Sequence, residues 1–431
     1  MSDERNYPLF TVIIPQKDRA EYLVHTLKSC MIQDYPNFEI IVSDDCSEDN
    51  SVEVVKELQK HDNRIKLFAH EHHLGMRENF EFALSQVRSG YVMALGGDDG
   101  LVVGCIWKMY KILKETGRQL LTWPYATFKY ANDNEPQTML YFRRRKSRTV
   151  RIIKSEYFLN SIANSFFYLV DECPMFYIKG VVSTELVEKV KSRTKDHCFY
   201  HCPTPDGFSG VILCGEVEDY AYTYEPLSIG GNTTKSQGQN YMRTDKKSRK
   251  ESEQFFNDNI RRTMHKELAS QQYSPLIPIM TADYLLTAKD LPGWPGKVGE
   301  ISIEKLIKVS FAHMSTARYE NYTLIRELKI LREIAKQHDM LDLFNKLYSQ
   351  TKRRIVWKNN IYGFALTNSV RFEGTSLGIN NVFDASMFIG YAYTTYKKIS
   401  IKSFFHLIRR TIQILLRQRQ YEIEKLPQLD E

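Results

Sequence analysis

A chain of 431 residues is long enough for two or three domains, and its 42% of apolar residues can fill a sizeable core. The net charge of +7 favours anionic partners such as sugar nucleotides, phospholipid headgroups or nucleic acid, without choosing among them. No run of about 18 apolar residues occurs, which argues against a membrane-spanning helix. Residues 1–6 lack the apolar centre of a signal peptide. The seven cysteines have no regular spacing and read as reduced thiols of a cytosolic chain.

In chain order, residues 9–15 read as an apolar strand stopped by proline, and Gln16-Lys17-Asp18-Arg19 as a loop. Residues 20–32 carry Tyr22, Leu23, Leu27 and Met31 near helical spacing. After the turn at Tyr35-Pro36-Asn37, residues 38–43 form a second strand ending in Asp44-Asp45-Cys46-Ser47. A helix over 51–61 places Val52, Val55 and Leu58 on one face. A short strand at 65–68 and a helix over 78–87 follow. Residues 91–95 read as a buried central strand that runs into Gly96-Gly97-Asp98-Asp99-Gly100.

Strands alternating with helices describe a doubly wound α/β sheet. Ligands of such sheets sit beyond the strands' carboxyl ends. The loop after Pro15, the Asp44-Asp45 pair and the Asp98-Asp99 pair therefore converge on one edge. Adjacent carboxylates repel. A divalent cation or a metal-bound diphosphate removes that cost; a solvated turn is the alternative.

Four pieces, in this order and at these spacings, carry a resemblance. They are Val12-Ile13-Ile14-Pro15, the stretch from Gln33 to Ser47, Leu74-Gly75 with Asn79, and Gly97-Asp98-Asp99-Gly100. The chain resembles, over roughly residues 7–235, a family 2 glycosyltransferase with the GT-A fold, a doubly wound mixed sheet. The resemblance implies inverting transfer of a sugar from a nucleotide diphosphate, expected to be uridine-linked, to an acceptor hydroxyl. Residue by residue, it implies that backbone at Pro15 and Gln16 borders the nucleobase and that Asp45 accepts a hydrogen bond from it. Arg77 is implied near the nucleotide, and Asp98 at the ribose or donor sugar. Asp99 is implied to hold Mg²⁺ or Mn²⁺ on the diphosphate, since hard divalent ions prefer carboxylate and phosphate oxygens.

Two departures stand out. Close relatives often read Gly-Asp-Asp-Asp, whereas Gly97 here replaces the first acid of Asp-x-Asp. Some relatives also carry a histidine metal ligand near Asn232-Thr233-Thr234-Lys235; Lys235 neutralising the diphosphate is the alternative.

In the middle of the chain, Trp123 and Tyr125 read either as core or as rings for a sugar. The basic cluster 141–148 reads as a solvated loop or as a contact for an anionic donor, acceptor or lipid diphosphate. Asp206, after Pro205, fits a helix N-cap. The resemblance implies instead the general base that takes the acceptor's proton. Glu218 or Asp219 is the runner-up base.

The expected division is a catalytic domain over 1–235 and a mostly α-helical region over 236–431 for acceptor, membrane or oligomer contacts. Lys397–Arg419 combines an apolar stripe with seven positive charges and no acid. It fits an anionic membrane surface, or a helix packed on the domain or on a second subunit of a homo-oligomer. No nucleic-acid-binding signature is present, and no nucleic-acid partner is expected. The expected acceptor is a glycan or lipid-linked glycan in surface polysaccharide biosynthesis. The expected location is cytoplasmic, peripheral at the inner face of the membrane. The alternatives are a sugar-phosphate nucleotidyltransferase and a non-catalytic binding scaffold, the latter motivated by Gly97.

Overall fold

The computed structural model describes residues 7–132, 135–143, 150–236, 250, 264–268, 273–316, 319–356, 363–364, 369–395 and 421–429. β1 (Phe10–Gln16), α1 (Ala20–Met31), β2 (Phe38–Asp44), α2 (Ser51–Gln59), β3 (Ile65–Ala69), α3 (Met76–Ser85) and β4 (Tyr91–Ala94) alternate as expected. β5 (Gly100–Leu101) follows the acidic turn. Then come α4 (Cys105–Thr116), β6 (Leu120–Thr122), β7 (Ala126–Lys129), β8 (Met139–Arg143), β9 (Arg151–Lys154), α5 (Ser155–Ser165) and β10 (Gly180–Ser183). α6 (Thr184–Lys191), α7 (Pro205–Glu216), β11 (Asp219–Tyr222) and β12 (Ser228–Asn232) complete the N-terminal half. Beyond it lie α8 (Ile277–Asp290), α9 (Ile303–Thr316), α10 (Asn321–Gln337), α11 (Leu341–Gln350), β13 (Lys352–Val356), β14 (Gly363–Phe364), β15 (Ser369–Glu373), α12 (Val382–Thr395) and β16 (Tyr421–Lys425).

The main sheet has eight strands in the order β3-β2-β1-β4-β10-β6-β11-β9. The first four are parallel, and β10 runs antiparallel to both its neighbours. β1 and β2 are buried along their whole length, which explains their unbroken apolar runs. Their register sets Gln16 beside Asp44, so both strands end level at one edge.

A second sheet, β14-β15-β8-β7-β12-β5, stands beside the first. β15 pairs antiparallel with β8, and α12 packs against α1, β5 and β12. Residues beyond 236 thus take part in the packing of the N-terminal half. α8–α11 enclose a separate core around Leu306, Phe311, Leu324, Leu331 and Phe344. α8 is apolar nearly all round because it is buried on two sides. Tyr284, Leu285 and Ala288 face the main core, while Leu276, Ile279 and Ala282 face the helical one.

Two sequence readings resolve here. Trp123 is core: it is fully buried and its Nε1 donates to Ser228 Oγ at 2.8 Å. Tyr125 is partly exposed, at 38%. Among the described residues no helix is long and apolar enough to cross a membrane. The basic run beyond Arg143 and the stretch Lys397–Arg419 lie outside the described residues.

Candidate active site

β4 delivers the acidic turn to the sheet edge. Asp99 is 2% exposed and Asp98 7%. Asp99 Oδ2 accepts the Gly96 N–H at 2.7 Å, and Oδ1 accepts the Gly231 N–H at 2.9 Å. The Tyr177 hydroxyl also bonds Asp99. Burial first, and then the charge of Asp98, push the Asp99 carboxyl up to about 7 against those donors.

A strap of residues 233–236 crosses Asp98. Thr233 Oγ1 and Ser236 Oγ both donate to Asp98 Oδ2 at 3.1 Å. The Lys235 carbonyl accepts from Arg19 Nη2 at 2.6 Å. Lys235 Nζ turns to the Asp18 carbonyl, also at 2.6 Å. The missing acid at Gly97 has a steric explanation. A Cβ there would lie 3.0 Å from Arg19 Cβ and 3.1 Å from Gln16 Cβ, so Arg19 fills the space.

At the ends of β1 and β2, Gln16 Nε2 donates to Asp44 Oδ2, which also accepts Ser47 Oγ at 2.7 Å. Gln16 Oε1 is buried without a partner. Asp45 is spent on the loop before α3. It accepts Leu74 N–H at 2.6 Å and Gly75 N–H at 3.1 Å, and pairs with His73 Nδ1 at 2.9 Å. Arg77 bonds Glu78 and, at 3.0 Å, the Tyr200 carbonyl. Pro15 lies within β1, paired with Ser43.

Asp206 sits in the first turn of α7, after Thr204 at the N-cap and Pro205. No side-chain capping bond forms there. Its Oδ1 is buried with no hydrogen-bond partner. Burial raises its pKa, opposed by the Gly207 backbone and the Tyr284 hydroxyl. Tyr125 and Tyr177 each feel the charge of both Asp99 and Asp206. The runner-up acids lie elsewhere. Glu218 pairs with Lys154 and Asp219 with Arg118, each at 2.6 Å. Sequence reasoning missed Arg19, Tyr177 and Tyr284, and it saw Thr233 only as the site of an absent histidine.

Residues 11–171 match the model of the family described as Glycosyl transferase family 2. This segment belongs to that family. A Campylobacter jejuni protein named GalNAc(5)-diNAcBac-PP-undecaprenol beta-1,3-glucosyltransferase is 39% identical over 100 residues, 23% of this chain and 32% of that one. The putative teichuronic acid biosynthesis glycosyltransferase TuaG of Bacillus subtilis is 32% identical over 108 residues, 25% of this chain and 40% of its own. The matches therefore span less than half of these relatives' lengths. The solved structure of S. aureus TarS 1-349 in complex with UDP overlaps 83% of this chain and 95% of that one. Its TM-score is 0.44 and its identity 14%, too loose a likeness for anything to be drawn from it.

The acidic turn of this glycosyltransferase domain suits a divalent ion. No group of three or more His, Cys, Asp or Glu side chains able to hold a metal occurs among the described residues. Mg²⁺ bound to a phosphate ligand usually takes only one or two carboxylates from the protein. Asp98 and Asp99 are buried side by side, and burial with the Asp98 charge raises the Asp99 carboxyl, a cost that a cation would offset. Asp98 and Asp99 therefore fit the group that the family implies.

Proposed function

We propose that the chain is an inverting glycosyltransferase that moves a sugar from a uridine diphosphate donor to a glycan or lipid-linked glycan. One observation carries this reading. Asp206, with a buried and unpartnered oxygen, acts electrostatically on the same two tyrosines as the Asp99 carboxylate. On this reading Asp206 serves as the proton acceptor and the acidic turn as the site for the diphosphate. Asp206 takes the proton of the acceptor hydroxyl as its oxygen attacks the anomeric carbon and the bond to the diphosphate breaks. Asp98 and Asp99 would hold Mg²⁺ or Mn²⁺, which when bound offsets the charge on the departing diphosphate.

Gln16 supports the uridine assignment. Its amide nitrogen is committed to Asp44, which leaves Oε1 as an acceptor in want of a donor. The uracil N3–H is such a donor. Asp45 and Arg77 shape this side of the cleft by fixing the loop around Gly75 and the Tyr200 carbonyl. Donor entry displaces the strap from Asp98. The partly exposed Tyr125 offers a ring to the acceptor sugar.

The acceptor class follows the relatives' names, one given for an undecaprenol-linked glycan and one for teichuronic acid. Such an acceptor would place the enzyme at the inner face of a membrane, where the seven positive charges of the sequence Lys397–Arg419 would meet anionic lipid. A panel of nucleotide sugars, assayed with Mn²⁺ for thermal stabilisation and nucleotide release, tests the reading. One uridine-linked sugar is expected to stabilise the protein and to be turned over. Stabilisation by a nucleoside triphosphate alone would favour a nucleotidyltransferase.

A further inference from the structure

Arg19 stands in the loop between β1 and α1, and that loop is clamped to the one after β2. The Asp18 N–H donates to Ser47 Oγ at 2.8 Å, and the Arg19 N–H to Ser51 Oγ at 3.1 Å. Asp18 Oδ1 accepts the Glu48 N–H at 2.7 Å. These bonds hold Asp18 at a left-handed φ of 53°, which an aspartate tolerates better than most residues. Arg19 follows, with its Cβ and Cγ lying 3.0 and 3.2 Å from where a Cβ at Gly97 would sit, against the acidic turn.

Among the described residues, the Arg19 guanidinium bonds backbone oxygens and pairs with no carboxylate. Nη1 donates to the Lys17 and Asp18 carbonyls at 3.3 and 3.5 Å, and Nη2 to the Lys235 carbonyl at 2.6 Å. The short bond is the one to the strap. A guanidinium is a planar fork of five N–H donors that matches phosphate oxygens two at a time, and neutral carbonyls leave its charge unbalanced. The strap that supplies the Lys235 carbonyl also covers Asp98 through Thr233 and Ser236. It therefore rests on two anchors of opposite charge, Asp98 and Arg19.

We infer that Arg19 binds the diphosphate of the donor, and that the Lys235 carbonyl holds that place while no donor is bound. The inference rests on the reading of the acidic turn as a diphosphate site. A diphosphate there takes both anchors from the strap, Asp98 through the bound cation and Arg19 directly. Recognition of the phosphates and opening of the strap become one event.

The test is binding of UDP by calorimetry and of uridine by ligand-observed NMR, each with Mn²⁺ and the full chain. Arg19→Gln keeps the Cβ and Cγ beside Gly97 and removes the fork. It is made in wild type and in the Thr233→Val, Ser236→Ala chain, where the hold of the strap on Asp98 is already gone. In that second background Arg19→Gln is expected to weaken UDP about tenfold or more and to leave uridine unchanged. In wild type the loss is expected to be smaller, because freeing the Lys235 carbonyl also loosens the strap. Arg19→Lys, which keeps the charge without the fork, is expected to fall between. Undiminished UDP binding by Arg19→Gln in the second background would overturn the inference and leave Arg19 a latch for the strap. An equal loss of uridine and UDP would overturn it too, by making Arg19 a support of the whole cleft. If GDP binds in place of UDP with the same dependence on Arg19, the uridine assignment falls and the inference stands.

Discussion

The Gly231 N–H donates to Asp99 Oδ1 at 2.9 Å, a bond that spans 132 residues of chain. It ties the end of β12 to the acidic turn so closely that a Cβ at 231 would overlap the Asp98 carbonyl oxygen. Gly231→Ala must push these backbones apart. It is expected to cost about 2–3 kcal/mol of stability in denaturant melts. Mn²⁺ binding by the same variant is expected to weaken at least about tenfold, because Asp98 and Asp99 are displaced together.

At the proposed donor site, the strap would compete with the donor for Asp98. Thr233 and Ser236 hold Asp98 Oδ2 where a metal-bound diphosphate would act. The double variant Thr233→Val, Ser236→Ala biases the strap towards its displaced state. UDP with Mn²⁺ is expected to bind it about two- to tenfold more tightly in calorimetry, since less of the binding free energy is spent on opening. Weaker binding would assign the two hydroxyls to the ligand instead.

Stability without metal depends on pH through buried acids. Asp99 is lifted to about 7, and Asp283, mainly by burial, to about 6, from an ordinary 3.8. Between those limits the fold binds more protons than the unfolded chain, so stability falls as pH rises through the window. The thermal midpoint is expected to drop from pH 5 to pH 7.5. Asp99→Asn should flatten most of that slope, and Asp283→Asn a smaller part. Mn²⁺ with UDP should restore the midpoint of the wild type at pH 7.5 but not that of Asp99→Asn.

As the proposed base, Asp206 would set function against stability. Its buried Oδ1 lacks a partner, and its charge is disfavoured by burial. Asp206→Asn is expected to raise the thermal midpoint by about 1–3 °C while lowering transfer by about 10²- to 10⁴-fold. A stability loss with transfer intact would return Asp206 to a purely structural role.

The parallel core was legible because β1, β2 and β4 are apolar runs with turn residues at their ends, and Asp44-Asp45 and Asp98-Asp99 stand just at or beyond the carboxyl ends of β2 and β4. The orientation of Asp206 was not, because Pro-Asp at a helix start serves a cap and a base equally well in sequence. In the structure its Oδ1 is buried without a hydrogen-bond partner. The strap was hidden by distance: Thr233 reaches Asp98 across 135 residues, and neither hydroxyl carries a local signal. Trp123 was ambiguous for the same reason, since its partner Ser228 lies 105 residues on. Gly97 departs from the acidic motif, and Arg19 and Gln16 lie against the space its side chain would take.

The most direct test is calorimetric titration of UDP into wild type and Asp99→Asn, each with and without Mn²⁺. UDP should bind wild type tightly only with Mn²⁺ and should bind Asp99→Asn weakly in either condition. Equal binding by both proteins, or binding by wild type that ignores the metal, would contradict a cation-held diphosphate at the Asp98-Asp99 turn.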